Sequence, residues 1–264
     1  NAGTLNLNTG ILASNITGVG TTNILEDVTS AKNITQGTLD IAKTSTLTTS
    51  GDVTVSVLTI NTDTTNSGSV VNTDDMIVST TLTNNGTIQN EGRLTVGGTN
   101  SLGLITDNTT TRTGVLNLTG TITADKSVEQ NKINVVSGSL EANASDLSAT
   151  SGIYNAGRID LTGGTLSSTI GNYSGLTGTT YISAADTVTA NADISGNNVV
   201  LTSGMLHLNN GAFDNISSFT AAGGNLDTRN TRISDININA TTLSNDMDWN
   251  LDINLNYDSK SANR

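Results

Sequence analysis

Apolar and polar residues alternate along this chain in short runs, and most runs open on a glycine. The recurring unit is glycine, any residue, aliphatic, any residue, aliphatic. It reads Gly3-Thr4-Leu5-Asn6-Leu7, Gly37-Thr38-Leu39-Asp40-Ile41, Gly51-Asp52-Val53-Thr54-Val55, Gly92-Arg93-Leu94-Thr95-Val96, Gly114-Val115-Leu116-Asn117-Leu118, Gly157-Arg158-Ile159-Asp160-Leu161 and Gly204-Met205-Leu206-His207-Leu208. Weaker copies begin at Gly86, Gly120, Gly138, Gly164 and Gly224. Alternation of period two puts Leu94 and Val96 on one face of a strand and Arg93 and Thr95 on the other. The glycine before it supplies the positive φ or tight corner where the chain changes direction.

A corner followed by a two- or three-residue half-buried strand is one side of a coil. The strong copies are separated by 34, 14, 41, 22, 43 and 47 residues. Those intervals fit coils of roughly 17–24 residues from which the corner glycine is sometimes missing. The pattern predicts an all-β chain folded as a right-handed parallel β-helix (β-solenoid) of about 13 coils, a rod on the order of 60 Å long. It covers residues 1–240. The segment 241–264 differs: Met247, Trp249, Leu251, Ile253, Leu255 and Tyr257 alternate without interruption with Asp and Asn. This is the longest clean strand in the sequence, read as a capping strand over an open solenoid end or the start of a junction.

Composition supports the thin-walled design. Thr (47), Asn (35), Ser (27) and Gly (27) make up 136 of the 264 residues, and hydrophobic residues are only 34%. That is too few for a thick core but enough for a narrow aliphatic column. There is no Pro, so no backbone N–H is lost to the ladders. Thr favours strands, Asn tolerates corners and can stack its amides, and both disfavour helix. An antiparallel sandwich is the competing fold, but all seven aromatic residues lie beyond residue 153, whereas a sandwich core normally draws on aromatics throughout.

The net charge of −12, with 11 basic residues, argues against binding nucleic acid or an anionic membrane through a basic patch. With no Cys, disulfides and thiolate chemistry are excluded. No apolar run is long enough for a membrane-spanning helix. The opening residues already read as a strand and not as a signal peptide, which suggests a mature or excised piece attached to a larger chain.

The stretch Asn85-Gly86-Thr87-Ile88-Gln89-Asn90-Glu91-Gly92-Arg93-Leu94-Thr95-Val96, with the corners at Asn155-Ala156-Gly157 and Gly163-Gly164, resembles the passenger domains of autotransporter and filamentous-haemagglutinin-type adhesins of Gram-negative bacteria (type V secretion). The resemblance implies an exported β-helical stalk at the cell surface, associated with the outer membrane and acting in adhesion to host or matrix molecules or in self-association. Two alternatives are a subunit of a surface layer or extracellular filament and a carbohydrate-active β-helix enzyme, either a polysaccharide lyase or a hydrolase.

Catalytic, cofactor and metal-binding residues are not evident. An enzyme of that kind needs clustered carboxylates with a basic partner, or paired acids. The nearest candidates are Arg158 with Asp160, two apart on one strand, and Asp246, Asp248 and Asp252. Their plainer reading is as alternate outward positions of ordinary strands. His207, the only His, falls between Leu206 and Leu208 and should point outward. The expectation is no enzymatic activity, no cofactor and no metal. Tyr173, within the Gly/Thr-rich stretch 171–180, and Tyr181, directly after it, mark the candidate recognition loop, where exposed rings would stack on a sugar or anchor a protein contact.

Overall fold

A computed structural model describes residues 1–230 apart from positions 43, 61–68, 109, 210–212 and 215. The chain is a parallel β-solenoid of about 11 turns. Each turn has three sides. Strands on the first side stack from Thr4–Leu7 and Thr21–Ile24 through Thr121–Ala124, Ser139–Ala142 and Arg158–Leu161 to Ser218–Ala221. The second side begins with Gly10–Leu12 and Val28–Ser30, and the third with Ile16–Thr17. Strand pairs among the described residues are parallel, and the one antiparallel contact is an isolated bridge from Tyr173 to Leu176.

The register gives the coil length directly. Successive partners on the first side lie 17 residues apart at Thr4 and Thr21, 24 at Val57 and Thr81, and 18 at Thr83 and Ser101. The range of 17 to 24 expected from the sequence therefore holds. The expected count of about 13 coils falls to about 11, because it divided the whole chain by the coil length whereas the described coils end at residue 230. The candidate capping strand from Met247 to Tyr257 and the boundary at 240 lie outside the described residues. Among the described residues helix is confined to one 3-10 turn, Ala144–Asp146, capped by the side chain of Asn143.

Inward positions form the column that holds the rod together. Leu39, Leu58, Leu94, Leu116, Ile133 and Ile159 are wholly buried, each stacked on its counterpart in the coils above and below. Each such Leu or Ile contributes roughly 1.5–3 kcal/mol of burial. Phe213 and Phe219 fill the column near the end of the described region, ring centroids 5.6 Å apart.

Corner glycines are selected mainly by crowding. At the corner leading into the first side, a Cβ on Gly20 would lie 2.2 Å from the Gly3 carbonyl oxygen, one on Gly120 would lie 1.9 Å from that of Gly98, and one on Gly157 would lie 2.5 Å from that of Gly138. None of Gly20, Gly120 and Gly157 has a left-handed backbone. Absence of the side chain, more than freedom of φ, lets one corner sit on the next.

Buried amides close another corner. Asn72 Nδ2 donates to Asn90 Oδ1 at 2.8 Å, and Asn90 Nδ2 donates to Gln130 Oε1 at 2.6 Å. Gln130 reaches back two coils, past the end of the strand Leu104–Thr106 in the intervening coil. Asp107 follows that strand, its carboxylate accepting from the N–H groups of Gly114 and Asn131 at 2.9 and 3.0 Å. A second buried pair, Asn155 to Asn197 at 2.9 Å, repeats the device further along. Asn thus satisfies backbone and side-chain groups that a short corner leaves without partners.

Candidate recognition face

The two tyrosines singled out in the sequence occupy different surfaces. Tyr181 lies within the strand Thr179–Ala190 on the first side, not in a loop, in register with Asp160. The Arg158 guanidinium stacks over its ring at 3.9 Å and forks onto Asp160 through Nε and Nη2 at 2.6 and 2.7 Å. That hydrogen bonding holds the Arg158 proton even more tightly than usual, against a smaller opposing effect of burial. Glu141 neighbours Asp160 in register. Arg158 and Asp160 are brought together as expected, and they are engaged with each other.

His207 sits on the second side with Thr189 and Asp227 as register partners. It is half-buried on the outward side of its strand, and its Nε2 atom makes no hydrogen bond. Among the described residues no three Asp, Glu, His or Cys side chains gather into a metal-sized cluster. Asp246, Asp248 and Asp252 lie outside the described residues.

Tyr173 belongs to the third side. It opens a tight turn in which Ser174 and Gly175 both have positive φ, 52° and 77°, and the Leu176 N–H closes the turn on the Tyr173 carbonyl at 2.9 Å. Two positive φ values in sequence are the signature of a primed hairpin turn. Leu176, at the closing end of the turn, is 59% exposed. The turn stands beside a shallow open depression of about 620 Å³ lined by side chains from successive coils, among them Arg93, Asn117, Lys132, Tyr154 and Tyr173.

Register builds this surface. Thr95, Asn117, Asn134 and Tyr154 are consecutive outward partners up the third side, and Arg93, Val115 and Lys132 form the column next to them. Position 152, the next partner after Lys132, is glycine, so the second column stops there. Lys132 Nζ lies 4.8 Å from the centre of the Tyr154 ring. The Tyr154 hydroxyl donates to the Ser151 carbonyl at 2.9 Å, fixing the ring's tilt. Asn134 donates to the Asn117 side chain at 2.8 Å. Arg93 is paired with Asp75 at 3.1 Å, whereas Lys132 has no carboxylate within ion-pair distance among the described residues.

Sequence reasoning found Tyr173 and missed Tyr154 and Lys132. These two are 22 residues apart, and only alignment of one coil on the next places them side by side. No protein-family model matches this chain, and no curated protein or solved structure matches it either.

Proposed function

We propose that this chain is a structural and adhesive solenoid from an exported bacterial protein, displayed at the cell surface and engaging host or matrix molecules through its polar outer faces. The observation that carries the reading is the separation of inside from outside. Stability resides in the aliphatic column, the corner glycines and the buried amides, which leaves the outward residues of successive coils free to build an extended contact surface. The sequence resemblance to passenger-type adhesins points the same way. The reading assigns the chain no catalytic step.

The test is retention. Beads coated with the purified chain should adhere to matrix-coated surfaces or cultured host cells above beads coated with an unrelated acidic protein, and soluble chain should compete the adhesion away. Retention equal to that control would overturn the adhesive reading. Filaments formed by the chain without surface binding would replace it with the surface-layer alternative.

A further inference from the structure

We infer that the third side carries a carbohydrate-binding site, centred on Tyr154, Lys132 and Tyr173, that takes an oligosaccharide bearing an acidic sugar. This deepens the adhesive reading by naming a ligand class, and the site itself does not depend on where the protein is displayed.

Four observations converge on it. The first is a pair of tyrosines on one depression, Tyr154 on the strand face and Tyr173 on its rim. Ring faces of this kind accept the apolar C–H face of a pyranose while the surrounding polar groups take its hydroxyls. The second is the outward amide and hydroxyl run of Thr95, Asn117 and Asn134. Each amide there uses one N–H within the run, Asn134 on Asn117 at 2.8 Å and Asn117 on Thr95 at 3.5 Å. An amide has two such donors, so Asn117, which is half-exposed, keeps one for a ligand.

The third is Lys132. It sits over the Tyr154 ring at 4.8 Å with no ion-pair partner among the described residues, in a protein of net charge −12. A lone cation held against an aromatic platform is suited to one carboxylate on a sugar that stacks on the same ring. The strongly acidic body disfavours a densely charged polyanion, so the fit is to a chain in which acidic and uncharged sugars alternate. The fourth is the Ser174 backbone. A non-glycine residue at φ 52° is costly, and such strain is concentrated where a side chain must be held in place for a ligand. Here it fixes the turn that bears Tyr173.

The surface is open and mostly polar, unlike the enclosed apolar pockets that take small hydrophobic ligands. It also lacks the apolar centre of a protein interface. An extended glycan laid along the rod matches it, because a hexose unit advances by about one strand spacing.

Calorimetric titration of the purified chain with hyaluronan hexasaccharide, which alternates uronate and acetamido sugars, and with uncharged chitohexaose tests this. The expected result is measurable binding of the first and weaker binding of the second. Tyr154→Ala should weaken the acidic ligand roughly tenfold or more, and Lys132→Gln should erase the preference for the acidic over the neutral chain. Tyr181→Ala, on another side of the rod, should leave both unchanged. If Tyr154→Ala fails to fold, Lys132→Gln and Tyr173→Ser, both outward changes, decide the matter. No binding of either glycan, equal binding of both, or binding indifferent to Lys132→Gln and Tyr173→Ser would each overturn the inference. Chain-coated beads that fail to adhere while the soluble chain still binds the hexasaccharide would remove surface adhesion and leave the site standing.

Discussion

The side-chain amide of Asn72 donates to that of Asn90 at 2.8 Å, with both residues wholly shut off from solvent. Asn90 passes the chain on to Gln130. An amide run inside a corner is stable only while every member keeps its partner. Asn90→Ala should therefore cost about 1–3 kcal/mol, read as a lower guanidinium midpoint with unchanged slope. Gln130→Asn should lose a similar amount, since the shorter side chain cannot reach back two coils. An unaltered midpoint in both variants would remove the amides from the list of stabilising elements.

Close stacking of corners makes a second prediction. Gly120→Ala places a methyl group against the Gly98 carbonyl and should destabilise by roughly 2–3 kcal/mol, as over-packing does. Gly175→Ala meets no atom within 4 Å but must hold φ near 77°, so its cost should be about 1 kcal/mol. Thermal melts of the two variants compare crowding with backbone strain, and the reverse order would contradict the crowding argument.

Removal of Leu116, fully buried mid-rod, to Ala should cost about 2–5 kcal/mol. Ile11→Thr, at a position 81% exposed, should stay within about 0.5 kcal/mol. Because each coil stacks on its immediate neighbours, Leu116→Ala should also raise amide exchange first in the coils beside it. Uniform exchange along the rod would show that the coils do not respond locally.

These elements show what could be read from the sequence. Period-two alternation and glycine corners were sufficient for a parallel coil, because both act within five residues. The strong motif copies, however, fall on all three sides. Gly3, Gly37 and Gly157 lead into the first, Gly204 into the second, and Gly51, Gly92 and Gly114 into the third. Their uneven intervals are steps between sides as well as between coils. Inward positions occupied by Thr22, Asn100 and Thr180 hid further strands, since a buried hydroxyl or amide looks like a surface residue in sequence. The same missing register separated Lys132 from Tyr154 and paired Tyr173 with Tyr181, which stands on another side.

Asp125 gives the rod an acid-sensitive contact. Partial desolvation pushes its carboxyl upward, but hydrogen bonds from Ser101 and from the Gly103 N–H, with the Lys126 charge, outweigh this and hold it below its ordinary value. A carboxyl lowered in the folded state adds stability above its unfolded value, and that share is lost as pH falls through the lower, folded value. Asp125→Asn should therefore cost a little stability at neutral pH and flatten the loss between about pH 4 and more acidic solution. Since Asp125 is exposed, the effect should be small. Parallel acid titrations with the same slope in both proteins would contradict the assignment.

The stacking itself is open to a direct distance measurement. Thr83, Ser101, Thr123, Glu141, Asp160, Tyr181, Val200 and Thr220 are successive outward partners on the first side. Pulsed electron–electron resonance between spin labels at Thr83 and Thr220 should then give one narrow distribution near 34 Å, seven strand spacings of ~4.8 Å. The Thr83–Asp160 pair should give about 19 Å, four spacings. Distances that do not grow in proportion to the number of coils between the labels would contradict the solenoid.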